Sequence, residues 1–407
     1  MKIVSYLLVF FLAFVPSSSL IQLKLIVVLL SMIVLILRTW NIRISKNIFL
    51  LLMIFVSFLC LSILVGLLRA EISISLSMRE AANMAFVGYV VCFFTILLRK
   101  FPKVLFDSVT LVYNCILLYS SIKVGLIALS VVGLVSTNSI IELIGGIGAN
   151  IVAHSFGGSN GALRLQSGND IVALFSFVLM PIVGWRISFS KSFKVLFSII
   201  VGLSLVLTLA RYIWLVLVFW FVFFTFVDSE TFHVRRNIDA ALRVFFLVII
   251  IGGMLGLLYS NSNLGEIVRA RLFDSSSNKN KVEQTGILLE YWTRAPILGH
   301  GLGSYVPHYI RNSELPFLYE NQVASFFVQF GVVGVCIMGF LVLDLYKLLL
   351  PRSMMSIRTS KIYILISLIL FVISGIFNPY LISLNSSLIY FLFYFVAVYC
   401  TKRNTAE

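Results

Sequence analysis

Residues 195–227 read VLFSIIVGLSLVLTLARYIWLVLVFWFVFFTFV, an unbroken apolar run whose one charge, Arg211, stands near its middle. As a single α-helix this run would be about 50 Å long and would set an arginine at the centre of a bilayer, at about 2.5–3.5 kcal/mol on insertion scales. Divided at Arg211, it makes two shorter helices that meet in an outer bend. The division decides everything downstream. With one helix, the clusters from Lys347 to Lys361 and at Lys402-Arg403 would face outward, against the tendency of basic short loops to stay on the cytoplasmic side. Two helices, 195–210 and 212–227, are therefore expected, although Thr208-Leu209-Ala210-Arg211 offers no glycine or proline to make the bend.

The rest of the chain supports reading that run as membrane-embedded. Its 407 residues are 60% hydrophobic and 12% charged, with a mean hydropathy of +1.06, far outside the range of a soluble globular protein. The net charge of +15 does not point to nucleic acid, because the basic residues sit in short clusters between apolar runs, as orientation signals do. Cys60, Cys92, Cys115, Cys336 and Cys400 all fall in or beside apolar runs and read as small packing residues. Ile3 to Val15 has the length of a secretory leader, but Pro16-Ser17-Ser18-Ser19 leads at once into another apolar run. A first hairpin of spans is expected instead.

About 20 apolar residues make a helix that crosses the hydrocarbon layer with its backbone satisfied. Candidate spans are 3–15, 20–37, 48–68, 82–98, 104–122, 169–185, 195–210, 212–227, 241–259, 321–346, 362–377 and 384–400, twelve in all. The expected fold is all-α, one polytopic transmembrane domain over 1–407. With Met1 inside, most of the 31 basic residues fall on inner segments, so both termini are expected to be cytoplasmic. Residues 124–135 read as an apolar extension of the fifth span, protruding or lying at the outer interface.

Two outer segments remain. Residues 136–168 form the first, rich in Gly, Asn and Ser, with one base, Arg164. Residues 260–320, between spans nine and ten, form the second and larger. Within it Lys281 to Arg294 reads as a short helix, with Ile287, Leu288, Tyr291 and Trp292 clustered on one side, stopped by Pro296 and suited to lie along the headgroup layer.

Helices starting near Asn169, Tyr212 and Asn321 would point their N-termini at these outer segments. A helix N-terminus favours anions, and Arg164 and Arg211 stand beside two of them. Arginine suits bidentate phosphate contact and keeps its charge in a dry site, so a phosphate-bearing lipid is the expected ligand. The plainer readings are a solvated loop charge for Arg164 and a snorkelling residue for Arg211. Gly299-His300-Gly301-Leu302-Gly303 follows no strand and is no dinucleotide fingerprint; its plainer reading is a flexible turn after Pro296. Neither outer loop holds paired aspartates, and His300 and His308 lack ligand spacing, so no metal or other cofactor is expected. Glu320 stands where loop meets apolar run. It reads either as a helix-N-terminal carboxylate worth about 0.3–1 kcal/mol or as a partly desolvated general base.

Arg294-Ala-Pro296-Ile-Leu-Gly299-His-Gly301-Leu-Gly303-Ser-Tyr305, then Glu320-Asn321-Gln322, then Gln329-Phe-Gly331-Val-Val-Gly334, resembles the shared region of the O-antigen ligase and O-antigen polymerase (Wzy-like) superfamily. Leu209-Ala210-Arg211-Tyr212 resembles the family's Ser-Arg bend, and Arg164 with Ser167-Gly168-Asn169 resembles its first outer-loop arginine. The resemblance covers about residues 164–334. It implies a metal-independent glycosyltransferase of the bacterial inner membrane that takes glycan from undecaprenyl pyrophosphate at the periplasmic face. Ligases commonly carry a histidine where this chain has Glu320, and often an arginine where it has Lys279 and Lys281; both departures favour the polymerase branch. On that reading Arg164 and Arg211 hold the pyrophosphate and Glu320 activates the acceptor hydroxyl. Arg294, Lys279, Lys281, Asn321 and His300 are the further candidate substrate-binding residues. The implied partners are undecaprenyl-pyrophosphate-linked oligosaccharides, membrane lipids and a chain-length regulator. The alternatives are a ligase acting on lipid A core and, from another class, a lipid-linked oligosaccharide flippase, which would be expected to line a central cavity with cations.

Overall fold

The computed structural model describes residues 2–15, 21–39, 46–69, 73–146, 152–156, 162–226, 276–311, 313, 315–349 and 358–396. The chain is predominantly helical. In order it forms α1 (Lys2–Ala13), α2 (Ile21–Thr39), α3 (Lys46–Leu68), α4 (Ile74–Lys100), α5 (Pro102–Val131), α6 (Thr137–Gly146), β1 (Val152–Phe156), β2 (Ala162–Gln166), α7 (Asn169–Arg186), α8 (Lys191–Val206), α9 (Arg211–Phe226), α10 (Ser276–Trp292), α11 (Gln322–Leu349), α12 (Arg358–Phe377) and α13 (Ser386–Phe395). The expected span 241–259 and the basic positions Arg235, Arg236, Arg243, Arg352, Lys402 and Arg403 lie outside the described residues.

By length and composition, Pro102–Val131 and Gln322–Leu341 are apolar enough to cross a membrane. On α2, Leu25, Leu29, Ile33 and Ile36 recur at helical spacing and each leaves at least half its surface outside. Such a stripe is penalised in water and not in hydrocarbon.

α7 is the hub. Ile171, Val172, Ala173, Leu174 and Phe175 are consecutive and fully enclosed, so the helix is buried on every side. α5, α8, α9, α12 and α13 pack around it. Aromatic edges fill the seams: the Phe175 ring meets Phe371 at 5.3 Å and Phe393 at 5.7 Å, and Phe94 stacks on Phe391 at 3.8 Å.

The run 195–227 is two helices, as the charge argument requires, and Leu209 makes the bend with a φ of 53°. A left-handed leucine costs about 1–2 kcal/mol, and side chains offset this with further hydrogen bonds to carbonyls at and just past the end of α8. Trp214 Nε1 donates to Val206 O at 3.0 Å, Thr208 Oγ1 to Leu205 O at 2.7 Å and Arg164 Nε to Thr208 O at 2.9 Å.

Three expectations are corrected. The fifth span does not end at 122, because Lys123 is buried and paired inside the body (below), so α5 runs on to Val131. The first outer segment is not all loop. It holds α6 and an antiparallel strand pair that sets His154 opposite Arg164, a small sheet in a chain that is predominantly helical. The signal lay in Gly157-Gly-Ser-Asn-Gly161 followed by the alternating Leu163-Arg164-Leu165-Gln166.

The third correction concerns the glycine motif, which is a packed strut rather than a flexible turn. α11 breaks at Gly331, φ 61° and ψ −170°, and the segment after Pro296 fills the notch. Val332 N donates to Pro296 O at 2.9 Å, and Val333 N to Ile297 O at 3.1 Å. In return His300 N donates to Val328 O at 2.8 Å and Gly301 N to Gln329 O at 2.9 Å. On its other side Leu302 N donates to Ser62 O of α3 at 3.0 Å, and Ser77 Oγ of α4 donates to Leu302 O at 2.7 Å. Four backbone groups at the break thus find partners in the inserted segment, as apolar surroundings demand.

Gly301, at φ +98°, has room for no side chain: a Cβ there would lie 2.3 Å from Gly66 Cα. Gly301→Ala is expected to destabilise by about 4 kcal/mol or more, whereas Gly286→Ala, in open space on α10, should be neutral or stabilising by up to about 1 kcal/mol. Thermal unfolding of the two purified variants checks the contrast.

Candidate functional site

The site grows from the N-terminus of α7. Asp170, in its first turn, is fully enclosed, and Lys123 Nζ of α5 reaches Oδ1 at 2.7 Å. Tyr119 Oη also donates to Oδ1 at 3.0 Å and shares a 2.6 Å hydrogen bond with Ser167 Oγ, while Ser167 N donates to Oδ2 at 2.9 Å. Asn169, beside it, donates to Ala13 O at 2.8 Å and accepts from Asn385 Nδ2. Two lone charges, one helix dipole and four partners of neutral character therefore fix the corner at which β2 passes into α7.

That corner carries Arg164. The side chain is buried, its Nε on Thr208 O and its Nη2 on Gln166 Oε1, and Gln166 Nε2 donates onward to Tyr380 Oη at 3.2 Å. Tyr380 lies in the turn between α12 and α13, where burial pushes its phenol up to about 12 and keeps it neutral. Thr208 belongs to the bend that ends in Arg211, the first residue of α9 and only part-buried. Arg164 and the bend of Arg211 are thus brought together, 44 residues apart from Arg164 to Thr208 in sequence.

A second polar group centres on Glu320. Its Oε1 accepts from Arg311 Nη1 at 2.6 Å, and its Oε2 lies 3.3 Å from Lys281 Nζ. The carboxylate keeps about a third of its surface open, 31%. Lys281 also donates to Phe377 O at 3.0 Å and lies over the Phe377 ring. The Phe377 ring faces Tyr212 at 6.3 Å, and Tyr212 faces Tyr380 at 5.7 Å. From Glu320 to Arg164 the path is continuous: Lys281, Phe377, Tyr212, Tyr380 and Gln166.

Other candidates serve the frame. Asn321 caps α11, its Oδ1 accepting from Ala324 N at 3.0 Å, and ties it to α10 by donating to Thr285 Oγ1 and, from its backbone, to Gln284 Oε1. His300 is buried, its ring stacked on Tyr291 at 4.0 Å and its Nε2 3.0 Å from Tyr291 O. Arg294 is exposed with its guanidinium 5.5 Å from the centre of the Tyr291 ring, and Lys279 is exposed on α10. Among the described residues no group of three or more His, Cys, Asp or Glu side chains is placed to hold a metal ion.

No protein-family model, curated protein or solved structure matches the chain. The site therefore speaks for itself.

Sequence reasoning passed over Lys123, Asp170, Gln166, Tyr380 and Arg311. A signal existed for the first two, since Lys123 is the one base between Lys103 and Arg164, and Asp170 the one acid between Glu142 and Asp228. Lone opposite charges in apolar helices predict each other. Removing one partner strands the other, so Lys123→Met is expected to destabilise by about 3–5 kcal/mol, and Lys123→Met with Asp170→Asn to recover most of that. Melting of the two variants and the unmodified chain in detergent measures it.

Proposed function

We propose that this chain is a polymerase of O-antigen or a related surface polysaccharide, a glycosyltransferase that joins undecaprenyl-pyrophosphate-linked repeat units at the periplasmic face of the bacterial inner membrane. It has about twelve spans and cytoplasmic termini, with the hairpin, α10 and the loop before α11 on the outer side. The observation that carries the reading is the join between Arg164 and the bend of Arg211, linked by packed side chains to a part-open Glu320.

In this reading the two guanidinium groups take the donor's pyrophosphate. Negative charge gathers there as the bond from the anomeric carbon to the phosphate oxygen breaks, and fixed cations in a poorly solvated site stabilise it most at that moment. Glu320 accepts the proton of the acceptor sugar's hydroxyl as that oxygen bonds to the anomeric carbon. The products are a glycan longer by the transferred unit, still lipid-linked, and undecaprenyl pyrophosphate. Lys281 and the caps around Asn321 hold Glu320 in place. Glu320 in the position of the ligases' histidine favours polymerisation over transfer to lipid A core.

Arg164→Ala, Arg211→Ala and Glu320→Ala are each expected to lower the rate of chain extension by about 100-fold or more, measured as ladder length from purified protein and lipid-linked repeats. Long chains at normal protein level from all three would defeat the assignment.

A further inference from the structure

Both oxygens of Glu320 are occupied, and the two cations that occupy them are held very differently. Lys281 sits on α10, anchored by its bond to Phe377 O at 3.0 Å and by the Phe377 ring beneath it. Arg311 stands on the loop before α11, its side chain 38% exposed, with exposed Pro307, His308 and Ile310 shortly before it. Among the described residues its partner is Glu320 alone. Glu320 itself is fixed from both sides: Tyr319 is buried, its Oη accepting from Val306 N at 2.8 Å, and Asn321 caps the helix. If this contact opens, Arg311 is the side that moves.

A general base must meet the proton it takes, within about 2.6–3.2 Å. With Oε2 on the tethered Lys281, Oε1 is the atom left for an acceptor hydroxyl, and Arg311 covers it. An exposed ion pair contributes little to stability and is readily exchanged. A pyrophosphate offers the same guanidinium more charge and a bidentate fit. We propose that Arg311 is a further binding residue of this site, passing from Glu320 to the pyrophosphate when the donor binds and so uncovering Oε1 for the acceptor. The exchange presupposes the donor reading above, and it adds an order: the carboxylate is freed once the leaving group is in place. No bond other than hydrogen bonds and ion pairs changes in this step, and the proton transfer follows it.

Binding of inorganic pyrophosphate, and separately of farnesyl pyrophosphate, to the full chain in nanodiscs tests the exchange without catalysis. Arg311→Gln is expected to weaken both by about tenfold, as loss of a charge-assisted contact does. Glu320→Gln releases Arg311 from its competitor and is expected to tighten both by about threefold. The double variant should match Arg311→Gln, because without Arg311 the carboxylate has nothing to withhold. Arg311→Lys should fall between the unmodified chain and Arg311→Gln, and it serves in place of Arg311→Gln should that variant fold poorly. The exchange is overturned by Arg311→Gln binding pyrophosphate like the unmodified chain, by Glu320→Gln tightening binding equally with and without Arg311, which is plain charge repulsion, or by an unmodified chain that binds neither probe. A change confined to farnesyl pyrophosphate also overturns it, since the headgroup is what Arg311 must read. Failure of the polymerase reading looks different: the binding cycle holds while the unmodified chain, supplied with lipid-linked repeats, extends none of them.

Discussion

An enclosed carboxylate in an apolar body is tolerable only when its charge and its lone pairs are all answered, and Asp170 sets that condition for the whole molecule. An isolated ion there would be opposed by several kcal/mol even after relaxation (~3–5 kcal/mol when one partner is removed). Lys123, Tyr119 and the Ser167 amide answer it. The consequence is geometric more than energetic. α5 is pinned to the start of α7, the β2 strand must leave that corner in one direction, and Arg164 is delivered to the carbonyl of Thr208. Through that carbonyl the same constraint helps to hold the bend between α8 and α9, where a leucine takes the left-handed conformation without a glycine's freedom.

Irregular backbone elsewhere obeys the same rule of full satisfaction. The break of α11 at Gly331 would strand amides and carbonyls in apolar surroundings, and the Pro296 to Gly303 segment bonds Val332 N, Val333 N, Val328 O and Gln329 O. That segment also docks on α3 and α4 through Ser62 and Ser77. A motif that looks suited to ligand contact is therefore occupied with holding helices, and the loop that follows it, bearing Arg311, is positioned by it. The side chains left part-open stand at the margin of the frame. Glu320 and Arg311 keep about a third of their side-chain surface open, while His300 and Asn321 are locked into packing and caps.

Much of the helical frame was legible because it rests on the simplest signal, long apolar runs separated by charge. α1, α2, α3, α7, α8, α9 and α12 fall within a few residues of their expected bounds. The division at Arg211 was legible for a related reason, since an arginine cannot be left in mid-membrane. What misled was the assumption that a charge ends a span. Lys123 does not end α5, because its partner lies 47 residues on and on another helix, a pairing that shows only when the lone charges of different segments are compared. The strand pair Val152–Phe156 and Ala162–Gln166 was hidden by the weight given to the glycines and polar residues of this stretch as loop.

The sequence by itself determined the predominantly helical, strongly apolar character of the chain and the list of charged residues outside its short basic clusters, because hydropathy and charge are properties of residues taken locally. Only the tertiary structure decided which of those residues meet. It joined Arg164 to the bend of Arg211, gave Glu320 to Lys281 and Arg311, and withdrew His300 into the packing. Those outcomes depend on how backbone groups freed at Gly331 and around Leu209 find partners far away in the chain, and hydrogen bonds of that kind exist only once the helices have docked.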